Sequence, residues 1–501
     1  MKPIVENSSS NPGEHARLGG GAIPLCVDLD GTLIKTDVLI EGIVQILTGR
    51  DRLRRLPKLL VSDRARLKQR VAELAALDPG LLPYNEEFLK YLQGQKASGR
   101  TLVLVTAADA RIAHAVADHL SIFDDVLCSD GVTNIKGEAK AAALVKRFGH
   151  RGFDYAGNDA ADLPAWREAR NALVVNAPRG ISSKITTAAV DTSFAARTPL
   201  FGSALKAMRP HQWSKNFLVF VPLIMAHAVT DLTACLQAGI AFLSFCATAS
   251  SIYLINDIAD IAADRRHPRK RNRPLASGKL SLPAGVILAV LCGGVGLTLA
   301  FLIHNEALMV VYAATSTAYS IALKEFPIVD VFVLAALYTI RVLSGGVATG
   351  HDVSLWLLAF SGFLFLSLAL VKRTGEMAAL VRSSSAGVAA RRGYFVSDLA
   401  VLMNFGCASS FASGIVLALF VGSDAAILHY ATPQLLWGIV PLILFWQCRL
   451  WLSTTRGHMH DDPIVYAAHD WVSWIVIVCV LLIVTAATIG VPLSIVGIAG
   501  A

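Results

Sequence analysis

The chain has 501 residues, 54% of them apolar and only 16% charged, a balance that excludes a wholly water-soluble globule. Its net charge of +8 does not mark a nucleic-acid binder, because the cations of the second half gather in loops beside apolar runs. There they face anionic lipid and phosphorylated substrates.

Residues 1–21 are polar and open without a signal peptide, so they are expected to be disordered. An apolar run then ends in DLDGT at 28–32, which predicts a buried parallel strand delivering Asp28 and Asp30 to a loop at its carboxyl edge. Gly31 permits a tight turn, and Thr32 is placed to cap the next element. Two carboxylates so placed suit nucleophilic phosphoryl transfer, with Asp28 attacking phosphorus and Asp30 acting as general acid and base. Segments between 35 and 99 read as helices whose basic residues form a solvated face or a contact with anionic lipid. RTLVLVTAAD predicts a second buried strand that offers the Thr106 hydroxyl to a phosphate. Lys136 and Lys140 follow in TNIKGEAK, and DYAGNDAAD brings Asn158, Asp159 and Asp162 after a third strand.

This set resembles the haloacid dehalogenase-like (HAD) phosphatases over about 22–180, within a domain placed at 22–195. The resemblance implies a Rossmann-like α/β sheet with its site at the carboxyl ends of the strands and a small helical cap after the first motif. It also implies Lys140 as the phosphate-neutralising lysine and Mg²⁺ held by Asp28, Asp30, Asn158 and Asp162. There is one departure: the family's GDxxxD reads Gly157, Asn158, then Asp162, which is expected to weaken the metal site unless Asp159 compensates.

A small-residue linker near 186–206 leads into a second domain, 200–501. Nine apolar segments there have the length to span a bilayer: about 217–230, 234–256, 283–303, 307–323, 328–349, 354–371, 399–421, 433–452 and 472–497. Lysine and arginine fall on one side of them only: Lys206, Arg209 and Lys215; Lys324; Lys372, Arg373, Arg382, Arg391 and Arg392; Arg449 and Arg456. The alternate loops carry none, which places the amino terminus and both chemistries in the cytoplasm, on a bacterial-type inner membrane. The eight cysteines, without CxxC or His pairing, read as buried small side chains and not as a zinc framework.

The second apolar run continues into NDIADIAADRRHPRKRNRPLASGK at 256–279. If the helix carries on for another turn or two, Asn256, Asp257, Asp260 and Asp264 share one face at its polar end. Such acids line a cavity and need cations; their hard oxygens suit Mg²⁺, which keeps positions open for phosphate. Arg265, Arg266, Arg269, Lys270, Arg271, Arg273 and Lys279 follow, and metal with guanidinium is the pairing a diphosphate leaving group demands. Arg341 lies inside an apolar span, which points to a site or pathway or to a structural ion pair. Asp330, three turns away on the same helix, is its expected partner, directly or bridged by substrate or Mg²⁺. Tyr319 and Lys324 nearby are either phosphate ligands or interfacial anchors. Near 458–471, Asp461, Asp462 and Asp470 either close the polar cavity or cap helices.

The pattern NDxxDxxxD followed by RxxHPxKRxRPxASG resembles the first aspartate motif of the UbiA superfamily of intramembrane prenyltransferases, and within it the polyprenyl-phosphate phosphoribosyltransferases. RPHQWSKNFLVFVPL at 209–223, YSIALKEFPIVDVFVLAALYTIR at 319–341 and VKRTGEM at 371–377 resemble the same subgroup. The resemblance implies an all-α polytopic membrane domain and makes Arg209, Gln212, Lys215, Asn216, Arg265, Lys270, Arg271, Arg273, Tyr319, Lys324, Arg341, Lys372 and Arg373 substrate-binding candidates. Mg²⁺ falls to Asn256, Asp257, Asp260, Asp264 and Asp330, although the family's second DxxxD here reads Asp330 and then Leu334. The implied substrates are phosphoribosyl diphosphate (PRPP) and a polyprenyl phosphate, with the HAD-like domain removing the 5-phosphate from the product. A prenyltransferase acting on an aromatic acceptor, with a regulatory HAD-like module, is the alternative. Nucleic acid is not an expected partner, and the oligomeric state is left open.

Overall fold

The computed structural model describes residues 23–49, 52–59, 64–129, 134–178, 180–186, 188–194, 199–382, 393–459 and 462–491. The amino-terminal tail, Arg391, Arg392 and Asp461 lie outside the described residues. The chain forms two compact units: Met1–Leu200 with Ala259–Leu282, and Phe201–Ile258 with Pro283–Ala501.

In the first unit the apolar runs become six strands: β1 (Leu25–Val27), β2 (Leu102–Asp109), β3 (Asp125–Ser129), β4 (Asp154–Gly157), β5 (Asn171–Val175) and β6 (Ala189–Phe194). Every pairing is parallel and the order is β3-β2-β1-β4-β5-β6. A parallel sheet is covered on both faces, which is why its strands read as unbroken apolar runs. Leu25 and Val27 enter the core that holds Phe88 and Leu104, while Cys26 enters the opposite one with Phe153, Tyr155 and Trp166. Among the described residues four helices fill the stretch between β1 and β2: α1 (Val38–Thr48), the single turn Arg52–Arg55, Arg64–Leu74 and Glu86–Ala97. The strand order reverses at the β1–β4 neighbours, and the crevice beyond the carboxyl ends there is where such sheets take ligands.

The second unit is helical. Among the described residues, seven helical segments are long and apolar enough to cross a membrane: Leu232–Ala259, Leu282–Leu302, Val329–Thr349, Leu355–Ala379, Val396–Val421, Pro433–Thr455 and Trp471–Ile489. Two of the nine expected spans fall short. The stretch from 210 forms a 3-10 run, Pro210–Phe220, and then a five-residue helix, Val221–Met225. Pro210 and Pro222 each remove a backbone donor there. Glu306–Ile321 is a regular helix of 16 residues, about 24 Å long against the roughly 30 Å of a bilayer core. At Gly345 a Cβ would stand 2.0 Å from the Val219 carbonyl oxygen, so only glycine lets the 3-10 run lie directly on the helix Val329–Thr349. That contact brings Lys215 and Asn216 to the level of Arg341.

Candidate functional site

The HAD-like crevice is built at the exits of β1 and β4. The Asp28 amide donates to the Ala156 carbonyl at 3.0 Å, which pins the first acid beside the β4 exit. Its carboxylate accepts from Lys140 Nζ at 2.6 Å on one oxygen and from Thr32 Oγ1 at 3.2 Å on the other. Gly31 has φ +79°, and a Cβ there would stand 2.1 Å from the Asn158 amide nitrogen, so the turn and the packing both require glycine. Asp30 accepts from the Val38 amide at 2.9 Å, at the start of α1. Burial, reinforced by Asp37 and Asp28, pushes Asp30 well above the ordinary carboxylate range, the condition a proton donor needs. Burial also raises Asp28, to about 6, with Lys140 opposing the shift.

Asp162 is fully engaged by its own neighbourhood. One oxygen accepts from the amides of Asn158 at 2.9 Å and Asp159 at 3.3 Å; the other accepts from Tyr155 Oη at 2.8 Å and lies 3.4 Å from Lys140 Nζ. It holds Lys140 in place more than it offers a ligand. Thr106 is fully buried, and its hydroxyl oxygen accepts from the Ala108 amide at 3.0 Å. Lys68, on the helix Arg64–Leu74, donates to the Ala107 carbonyl at 2.7 Å and to Asn134 at 3.0 Å. One basic residue of the expected solvated face is thus fixed at the edge of the crevice.

The long helix that carries Asn256 and Asp257 in the helical unit ends at Ala259, so the four acids do not continue along one face, and Asp260 and Asp264 belong to the first compact unit. Asp260, at φ −97° and ψ 12°, breaks the helix, and Asp264 rides on the short helix Ile261–Arg266. Asp257 ion-pairs with Arg209, whose guanidinium also lies 5.1 Å from the Tyr253 ring centroid. Asn256 donates to Ser320 Oγ at 2.8 Å. Arg209 itself has φ +56°, strained for a non-glycine residue. The Gln212 amide, at 2.9 Å, donates back to its carbonyl.

Deeper in that unit, Asp462 gathers a polar cluster. Lys215 lies 2.9 Å away and Lys372 3.2 Å, while Tyr338 Oη donates to both carboxylate oxygens at 2.9 and 2.8 Å. Burial alone would raise this carboxyl, but Lys215 and Lys372 outweigh it and hold Asp462 below the ordinary range. Arg341, 4% exposed, donates to Asn216 Oδ1 at 2.8 Å, to Tyr312 Oη at 3.0 Å and to the Leu337 carbonyl. Its guanidinium sits among the rings of Phe245, Tyr312 and Tyr338. Among the described residues, every hydrogen-bond partner of this buried cation is neutral.

Asp330, the partner expected for Arg341, is elsewhere. It is fully buried, ion-paired with Arg373, and accepts from Tyr394 Oη at 2.5 Å. Eleven residues of one helix separate Asp330 from Arg341 by about 16 Å, too far for direct pairing, and Arg373 from the next helix takes the position. Arg373 NH2 also reaches Tyr319 Oη at 3.5 Å. Lys324 lies in the 3-10 turn Leu323–Glu325, half-buried.

Residues 217–462 match the UbiA prenyltransferase family, and residues 25–167 match the haloacid dehalogenase-like hydrolases. Uncharacterized protein y4nM of Sinorhizobium fredii is 38% identical over 463 residues, covering 91% of this chain and 89% of that protein. The chain is a UbiA-family protein with an HAD-like domain at its amino terminus. Decaprenyl-phosphate phosphoribosyltransferase of Corynebacterium glutamicum is 35% identical over 205 residues, 39% of this chain and 62% of that enzyme. A UbiA homolog from Archaeoglobus fulgidus, solved bound to GPP and Mg²⁺, covers 56% of this chain and 99% of its own at 17% identity and a TM-score of 0.44. Seven apolar helices in a UbiA-family chain make a multi-pass membrane protein.

Within the UbiA-family unit, the cations read as substrate ligands divide. Arg209 pairs with Asp257, Lys215 and Lys372 share Asp462, Arg373 closes on Asp330, and among the described residues Arg341 hydrogen-bonds to neutral groups. Asp470, the other acid of that region, caps the helix Trp471–Ile489 and pairs with Arg449 at 2.6 Å. Sequence reasoning misses Tyr338, Tyr155 and Tyr394, since a tyrosine in an apolar run gives no sign of which carboxylate its hydroxyl will reach.

Proposed function

We propose that the UbiA-family unit transfers the 5-phosphoribosyl group of PRPP to a polyprenyl phosphate and releases diphosphate. Two observations support the reading: the likeness to the decaprenyl-phosphate phosphoribosyltransferases and the state of Arg341. A guanidinium buried among aromatic rings with only neutral partners asks for an anion. A lipid phosphate answers that demand, as would the carboxylate of an aromatic acid, so the choice between the two acceptors leans on the likeness to the phosphoribosyltransferases. In the reaction a phosphate oxygen of the lipid attacks C1 of the ribose, and the C1–O bond to diphosphate breaks with its electron pair leaving on diphosphate. Arg341 and Lys215 orient the attacking phosphate, and Lys270 and Arg271 meet the leaving diphosphate.

Among the described residues the acids read in sequence as Mg²⁺ ligands do not gather into a metal site. Asp257 is ion-paired with Arg209 and Asp264 with Arg273. Asn256, Asp257, Asp260 and Asp264 would hold Mg²⁺, and let it neutralise charge on the diphosphate, only with those pairs opened. Asp330 does not fit that role, being enclosed by Arg373 and Tyr394. In the HAD-like domain the Asp28 and Asn158 oxygens suit Mg²⁺, while the fully engaged Asp162 leaves a sparser set than the family's own. There Asp28 attacks the 5-phosphate of the new lipid, Asp30 protonates the departing 5-oxygen, and water then releases phosphate from Asp28. The product is polyprenyl-phosphoryl-ribose, a precursor suited to arabinofuranose donors, made at the cytoplasmic face of the inner membrane.

The test is mass spectrometry of lipids formed by the detergent-purified protein from PRPP, polyprenyl phosphate and Mg²⁺. A ribosylated lipid phosphate is expected. Prenylation of an aromatic acid, with no lipid from PRPP, overturns the reading.

A pH dependence arises at Lys215. Burial, only partly offset by Asp462, brings its ammonium down to about 8 from the ordinary lysine value. It is charged below that pH and neutral above it, so the KM for polyprenyl phosphate is expected to rise as pH climbs past about 8. Lys215→Arg, charged throughout this range, should flatten the profile. An unchanged slope in that variant removes Lys215 from the acceptor site.

A further inference from the structure

The segment joining the helices Leu232–Ala259 and Leu282–Leu302 carries the basic half of the first UbiA motif, yet it is part of the first compact unit. The Arg265 guanidinium forks onto Glu41 of α1, with NH2 2.6 Å from Oε1 and NH1 3.1 Å from Oε2, while Nε donates to the Ala276 carbonyl at 2.9 Å. Both side chains are more than nine-tenths buried. Thr36 Oγ1 donates to Glu41 Oε1 at 2.8 Å, a second hold on the same carboxylate. At Gly278, φ +71°, a Cβ would stand 2.7 Å from Lys35 Cβ, and only glycine allows that approach. Arg273 ties the segment internally to Asp264 at 2.5 Å.

These anchors bracket the exposed 3-10 turn Lys270–Asn272. The arginines read in sequence as diphosphate ligands thus take different roles. Arg265 and Arg273 shape the loop, and Lys270 and Arg271 remain at its surface. A buried bidentate pair fixes position and angle together, which an exposed lysine pair does not.

We propose that Glu41 is a positioning residue for phosphoribosyl transfer: through Arg265 it sets the loop that presents Lys270 and Arg271 to the diphosphate of PRPP. This rests on the function proposed above.

The test uses the full-length protein in detergent with PRPP, polyprenyl phosphate and Mg²⁺. Glu41→Gln keeps the shape and removes the charge; misplacing a binding loop by a fraction of an ångström is expected to raise the KM for PRPP on the order of tenfold, with kcat changed far less. The exchange Glu41→Arg with Arg265→Glu should recover most of the loss. A KM for PRPP unchanged in Glu41→Gln, or an exchange variant no better than the single one, overturns the proposal. Hydrogen exchange over 261–280 gives a second readout independent of turnover: faster exchange in Glu41→Gln is expected, and unaltered exchange overturns the anchor. If the unaltered protein makes no lipid from PRPP, the proposed function fails on its own and takes the role toward PRPP with it, whatever the exchange shows.

Discussion

Arg341→Met is expected to cut lipid formation by about 100-fold or more in kcat/KM, the scale of losing a preorganised cationic contact in a desolvated site. The fold should survive. Three hydrogen bonds disappear with the guanidinium, each worth roughly 1 kcal/mol net, and Asn216 and Tyr312 lose a partner. Against that, a buried charge with no carboxylate partner among the described residues is removed, and replacing buried ions by apolar groups of similar volume is often neutral or stabilising by about 1–4 kcal/mol. The two effects nearly cancel, so thermal unfolding in detergent should move by no more than a few degrees. An inactive but folded variant supports an anion beside Arg341. A variant that unfolds, or one that turns over normally, leaves the arginine as a structural group.

Asp28→Asn is the second large effect. The substitution keeps the contacts of Lys140 and Thr32 within reach but removes the nucleophile, and dephosphorylation should fall by about 1,000-fold or more. Transfer itself should continue, so the lipid carrying the ribose 5-phosphate accumulates and polyprenyl-phosphoryl-ribose disappears from the lipid extract. An unchanged ratio of the two lipids would mean that the HAD-like domain acts on some other phosphate ester.

How much of this is legible in the chain depends on the distance over which each feature is decided. The strand ending in DLDGT declares itself because burial on two faces, a turn glycine and two acids fall within a few residues. Lys140 is readable from its place at a helix start, and it does meet Asp28. The parallel sheet follows from apolar runs alternating with helical stretches. By contrast, the pairing of Asp330 with Arg373 is set by how two helices pack, and the same-helix partner favoured by sequence is out of reach. Glu41 and Arg265 lie 224 positions apart, and neither residue type hints at the other. The helix break at Asp260 carries no proline or glycine to announce it. Asp462 is visible in sequence only as an acid ahead of a proline, a pattern that reads first as a helix cap; it is one, accepting from the Ile464 amide at 3.2 Å, and it gathers two lysines as well.

The most direct measurement is a single incubation with PRPP labelled with ¹⁴C in the ribose and ³²P at the 5-phosphate, given polyprenyl phosphate and Mg²⁺. The ¹⁴C is expected to enter the lipid fraction and stay, while ³²P enters with it and then leaves as inorganic phosphate. Neither isotope reaching the lipid, under conditions where the protein is folded and the polyprenyl phosphate is present, would contradict phosphoribosyl transfer.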